Sequence, residues 1–221
     1  MHVLHYAAAA YCDYYDIQNW QCGPACTTNF GLETPVSVFS NFLEGTQGYA
    51  GYNPQRNEIV VSFRGSVDLV NWYDNFDFFQ NPYPGGPQGA MIHIGFYNSY
   101  MSMSPEVISA VTKLVQDHPT ATIVLTGHSL GAAQAIFAAM DIKLNIKPSN
   151  PMLVYNYGCP RTGNQIFTDF VYNFFPEGTF WRVIHNADPV PHLPMTELGF
   201  NHIGNEAFYK DDANPLTYEI C

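Results

Sequence analysis

Residues 122–140 read TIVLTGHSLGAAQAIFAAM, and the parsing of that stretch decides the fold. TIVLT is nearly continuous in apolar and β-branched residues, as expected of a strand covered on both faces. The Ala-rich run from Ala132 onward has the composition of a helix. Between them stands Gly127-His128-Ser129-Leu130-Gly131, a GxSxG placed at a strand-to-helix turn. Such a turn holds its serine in a strained conformation and exposes the hydroxyl at a helix N-terminus, where developing negative charge is favoured. Side chains at 127 and 131 would collide with neighbouring backbone, so both positions require glycine.

Working outward, further apolar β-rich runs lie at IVVSF (59–63), MLVYNYG (152–158) and TFWRVI (179–184). Helical patterns intervene at 96–118, 132–144 and 164–175. Strands alternating with helices mean right-handed crossovers and a mostly parallel sheet, an α/β fold with IVVSF, TIVLT and MLVYN at its centre. NPYPGGPQG (81–89) holds three Pro and three Gly, so a surface loop is expected there. FNHIGNEAFY (200–209) is expected to add antiparallel, and Ala7 to Ala10 to open a helix.

The 221 residues suit one α/β domain spanning 1–221. Eight Lys+Arg against 19 Asp+Glu give a net charge of −11, which excludes the basic footprint of a nucleic-acid binder. No apolar run reaches the roughly 18–20 residues that cross a bilayer, so no stable membrane span is expected. Nothing in the pattern demands an oligomer, and a monomer is the expectation.

A serine hydroxyl becomes a nucleophile only with a base to take its proton, an acid to orient that base, and donors for the oxyanion. Asp188 stands where the strand TFWRVI runs into the proline-rich turn HNADPVPHLP, a usual address for the acid. The backbone N–H of Leu130 is one oxyanion donor; IVVSF ends in Arg64-Gly65-Ser66, whose Ser66 offers an N–H and a hydroxyl as another. Loss of one such donor costs about 3 kcal/mol of transition-state stabilisation. In QCGPAC the Gly23-Pro24 turn can bring Cys22 and Cys26 together, so a small disulfide loop and an oxidising, extracellular setting are expected. A metal knuckle is the alternative, but it needs a second short-spaced Cys or His pair, which neither Cys12, Cys159 nor Cys221 supplies. No metal and no cofactor are implied.

Taken together, AAAAYC (7–12), SFRGS (62–66), NW (71–72), HIGF (93–96), TGHSLGAA (126–133), YGCPRTGN (157–164), HNADPVPHLP and FNHIGNEAFY resemble the class 3, fungal-type triacylglycerol lipases along nearly the whole chain. The resemblance implies an α/β-hydrolase fold and a soluble lipase working at an oil-water interface. Ser129 would be the nucleophile, Asp188 the acid, and Ser66 with Leu130 the oxyanion hole. It also implies a Cys22–Cys26 disulfide and a short helical lid after Ser66. The residues themselves suit a lid, because 67–79 (VDLVNWYDNFDFF) mixes Trp72, Tyr73 and Phe76 with three aspartates, the make-up of an amphipathic segment. An ordinary core-facing helix is the other reading.

The sequence departs from that family at the base. In the lipases it resembles, the catalytic His follows the segment matching FNHIGNEAFY, near the C-terminus, whereas no His follows His202 here. A longer enzyme of which this is a part would account both for that gap and for the unpartnered Cys12 and Cys221. Alternatively Cys12 pairs with Cys221, and His202, or failing it His192, serves as base. Two other functions stay open: a feruloyl-type or soluble-ester esterase of the same fold, and a non-catalytic lipase-like binding protein that lacks the base.

Overall fold

The computed structural model describes residues 2–27, 31–66, 78–210 and 218–220. Its centre is a sheet in the order β1-β2-β3-β6-β7-β8-β9-β10. The strands are β1 (Ser37–Asn41), β2 (Thr46–Asn53), β3 (Glu58–Phe63), β6 (Thr122–His128), β7 (Met152–Tyr157), β8 (Phe180–His185), β9 (Asn205–Tyr209) and β10 (Glu219–Ile220). From β3 to β9 all neighbours run parallel; β1, β2 and β10 join antiparallel. A separate two-stranded hairpin pairs β4 (Gln80–Pro82) with β5 (Met91–His93).

The helices are α1 (His2–Ala9), α2 (Tyr14–Gln18), α3 (Pro24–Thr27), α4 (Ile94–Met101), α5 (Ser104–Asp117), α6 (Leu130–Asp141) and α7 (Gln165–Tyr172). Successive strand residues point to opposite faces, and the sheet sorts them accordingly. Ile59, Val61, Phe63, Ile123 and Leu125 pack on one face against Phe96, Val107, Phe137 and Phe167 of α4–α7. Val60, Val124 and Tyr49 pack on the other against Val3, Tyr6 and Ile17 of α1 and α2. Every residue of α6 from Gly131 to Met140 is buried, which explains its alanines: small side chains let the helix lie close to the sheet.

Several expectations are corrected. The strand in FNHIGNEAFY runs parallel to β8, not antiparallel. The chain leaves β8 at His185 and crosses back through two 3₁₀ turns (Val190–His192 and Thr196–Leu198) before β9 begins, so it re-enters from the starting edge of β8. The buried Arg182 fastens this return, donating from Nε to the Ile203 carbonyl and from Nη1 to Glu206 at 3.0 Å. Ala7–Ala9 close α1 instead of opening a helix, while Ala10 follows it. The 96–118 pattern is two helices, broken between Met101 and Ser104. Asn81 and Pro82, at the edge of the breaker-rich loop, belong to β4.

The Cys22–Cys26 disulfide is also absent: both are free thiols. The Gly23-Pro24 turn does bring them into contact, but Cys22 lies between Cys12 and Cys26 and its S–H donates to the Ala9 carbonyl. Burial pushes the Cys22 thiol far up and the Cys26 thiol up. Cys221, and Trp72, Tyr73 and Phe76 of the expected lid, lie outside the described residues.

Candidate active site

Ser129 ends the turn between β6 and α6 with φ 57° and ψ −125°, a left-handed conformation that a non-glycine residue adopts only under strain. A Cβ at Gly127 would run into the backbone of Gly131, and one at Gly131 into the Phe63 carbonyl. Both glycines are therefore conditions of the turn, as the sequence required. The Ser129 N–H is held by the Tyr157 carbonyl at 3.0 Å, and Asn156 ties β7 to the start of α6 by donating to Ala132 O. The hydroxyl is not exposed as the sequence suggested: Ser129 Oγ is buried and has no hydrogen-bond partner among the described residues. Leu130 opens α6, whose first N–H groups lack intrahelical partners.

The end of β3 lies directly beside this turn. A Cβ on Gly65 would collide with the Tyr11 hydroxyl and approach Ser129 Cβ to 3.2 Å, so only glycine permits the approach. Ser66, next in the chain and half-buried, is thereby brought to the edge of the serine turn.

Asp188 is half-buried in the turn after β8. Its Oδ1 accepts from the Val190 N–H at 3.0 Å. Its Oδ2 looks toward β7, where a Cβ on Gly158 would come within 2.6 Å of it and 3.5 Å of the His128 ring. The turn is pinned from outside. Arg161 Nη1 donates to the carbonyls of His192 and Pro194 at 2.6 and 2.9 Å, and Arg161 N–H donates to that of Leu193.

His202 joins the same clamp, its Nε2 donating to the Pro191 carbonyl at 2.8 Å. Burial, with Arg182 nearby, holds its pKa down at about 3. The structure therefore places His202 as a brace for the turn that carries Asp188, and no described hydrogen bond joins it to Asp188 or Ser129. His192 is exposed.

The imidazole that does face Asp188 is that of His128. Burial lowers its pKa, and Asp188 partly offsets this. A 2.8 Å hydrogen bond joins its Nδ1 to the Tyr11 hydroxyl, against which the Gly65 N–H also lies. Tyr11 is fixed in turn by Gln47, whose Nε2 donates to the carbonyls of Ala10 and Cys12. Sequence reasoning did not single out Tyr11; a lone tyrosine after an alanine run carries no pattern of its own.

His128 and Asp188 border a cavity of about 950 Å³, lined largely by aromatic and aliphatic side chains, among them Tyr157, Trp181, Val183 and Tyr209. His202 does not line it.

A mostly parallel sheet with a strained serine at the elbow between its central strand and a buried helix defines an α/β-hydrolase. Comparison narrows this further. The family model described as lipase (class 3) matches residues 60–198, and the chain belongs to that family. It is 35% identical to secreted mono- and diacylglycerol lipase 1 of Fusarium solani over 217 residues, 96% of this chain and 63% of that protein. It is 30% identical to a lipase of Rhizomucor miehei over 84% of this chain and 51% of that one. Among solved structures, lipase II from Rhizopus niveus superposes with a TM-score of 0.89 at 30% identity, covering all of this chain and 82% of that one. The chain thus spans between about half and just under two thirds of these two curated relatives.

Proposed function

We propose that the chain is a carboxylic ester hydrolase acting on acylglycerols through a Ser129 acyl-enzyme, with Asp188 as the triad acid and Ser66 and Leu130 as the oxyanion hole. The observation that carries this reading is Ser129 itself: a strained residue whose buried hydroxyl has no partner among the described residues, at a helix N-terminus, beside the end of β3. Relatives named as secreted mono- and diacylglycerol lipases favour acylglycerols over phenolic esters as the substrate class and an extracellular site of action. No helix among the described residues is long and apolar enough to cross a membrane. We take residues 1–221 as one hydrolase domain acting as a monomer.

Ser129 Oγ attacks the ester carbonyl carbon and passes its proton to an imidazole base, which hands it to the leaving alcohol. The carbonyl oxygen becomes an oxyanion held by the Leu130 N–H and by Ser66. Collapse expels the alcohol and leaves the acyl group on Oγ; water then releases the acid by the same route. The proton needs an imidazole that Asp188 can orient. His202, the base expected from the sequence, reaches that position only by giving up Pro191. The space open to an imidazole in front of Asp188 is the cavity.

The test is the initial rate of p-nitrophenyl butyrate hydrolysis by the chain, its Ser129→Ala variant and its His202→Ala variant, with and without added imidazole, together with phosphonate labelling of Ser129. Loss of the serine is expected to cost about 10⁴-fold or more. Unchanged hydrolysis and labelling after Ser129→Ala would reject the nucleophile. A comparable loss from His202→Ala, restored by imidazole, would establish His202 as base; a small loss would leave it the brace described above.

A further inference from the structure

Phe42 and Leu43 are the most exposed large apolar side chains among the described residues, 97% and 94% open to solvent, and they are adjacent. They occupy the turn between β1 and β2 (NFLEG, 41–45). Exposure of two neighbouring large apolar groups on one short turn is unfavourable in water unless something covers them.

The turn is built to present them. Asn41 Oδ1 accepts from the Leu43 and Glu44 N–H groups at 3.1 and 3.2 Å, which fixes the turn from within. Its place is also fixed. β2 runs antiparallel to β3 with Gly48 opposite Phe63, so the turn projects beyond the carboxyl end of β3. Arg64, two residues before Ser66, donates from Nη2 to the Gly45 carbonyl at 2.9 Å and from its N–H to the Gln47 carbonyl. The apolar tip therefore stands at the same edge of the sheet as the serine turn and is tied to the strand that leads to Ser66.

We propose that Phe42 and Leu43 are an anchor that inserts into an uncharged acylglycerol surface and holds the catalytic edge of the sheet against it. This rests on the ester-hydrolase reading for its partner. Two rigidly mounted apolar side chains match the shallow apolar layer of a lipid surface. Charge decides which surface: with Glu44 beside the tip and a net charge of −11, an anionic surface repels the chain, and a neutral or zwitterionic one does not.

The test separates docking from catalysis. Flotation of the full chain carrying Ser129→Ala, with and without Phe42→Ser and Leu43→Ser, is measured on phosphatidylcholine vesicles containing dioleoylglycerol. The double replacement is expected to weaken partitioning about 10-fold or more, and phosphatidylglycerol in place of phosphatidylcholine to weaken it further. In chains that keep Ser129, the double replacement leaves the rate on dissolved p-nitrophenyl butyrate within about twofold and lowers the rate on emulsified tributyrin. Emission from a Phe42→Trp chain shifts to the blue on vesicles.

Equal partitioning with and without the two apolar groups, no partitioning of the parent, or binding to anionic vesicles alone would each overturn the anchor. A chain inactive on the dissolved ester that still loses partitioning on Phe42→Ser and Leu43→Ser would leave the anchor standing and count against the hydrolase reading instead.

Discussion

The two faces of the central sheet differ in what covers them. On one, α4 to α7 close over Ile59, Val61, Phe63, Ile123 and Leu125 with a continuous aromatic and aliphatic core. On the other, α1 to α3 cover β2, β3 and β6. Beyond them the face of β7 to β10 opens into the cavity where Tyr157, Trp181 and Tyr209 stand beside His128 and Asp188. One face is closely packed and positions Ser129; the other leaves open space beside Asp188. Close packing and reactive access are thus separated by the thickness of one sheet.

The comparison breaks most readily at Phe137, which is buried in α6 against Tyr83, Tyr97 and Phe167. Phe137→Ala is expected to cost about 3–5 kcal/mol, read from urea unfolding. Val183→Ala on the open face should cost under about 1 kcal/mol, because its neighbours can relax into the cavity. Equal costs would mean that the open face is as tightly covered as the other.

A smaller effect separates the clamp from the cavity by its pH dependence. His202 has its folded pKa lowered to about 3, against about 6.5 when unfolded. The unfolded chain takes up this proton first, so stability is full above about pH 6.5 and falls as the pH drops toward 3, by at most about 1.4 kcal/mol per unit. His202→Gln keeps a donor for Pro191 and does not titrate. The gap between parent and variant unfolding midpoints should shift in the variant's favour between pH 7 and 5, and a constant gap would contradict the buried, neutral ring.

Tyr11→Phe is the finest probe. It removes the hydroxyl that joins the segment after α1 to His128, and the expected loss is about 0.5–1.5 kcal/mol in thermal unfolding. No loss would show that the phenol contributes nothing to closing the second face.

What the sequence made legible follows the same division. β3 and β6 could be read because strands covered on both faces are nearly continuous in apolar residues, β7 and β8 because their cavity-facing positions are largely aromatic and aliphatic as well, and Gly127 and Gly131 because sterics leave no substitute. β1 and β2 carried no such signal. In TQGYAGYN the glycines weaken strand propensity, yet a Cβ at Gly48 would meet Phe39 and the Ser62 carbonyl, so tertiary crowding had overridden local preference. The direction of β9 depends on where a long irregular connection returns the chain, which no local pattern encodes. For the same reason the site was only half legible. Ser129, Ser66, Leu130 and Asp188 sit in motifs, whereas Tyr11 and the bracing role of His202 arise from contacts between residues 117 and 11 positions apart.

The backbone of Ser129 sits at φ 57°. Glycine would occupy that angle at no steric cost, so Ser129→Gly relieves a ground-state burden while removing the hydroxyl. On the hydrolase reading proposed above, residue 129 is therefore a point of conflict between endurance and turnover. A search for more heat-resistant variants that ignored activity would be drawn to replace it, and would return a sturdier protein without the Ser129 hydroxyl.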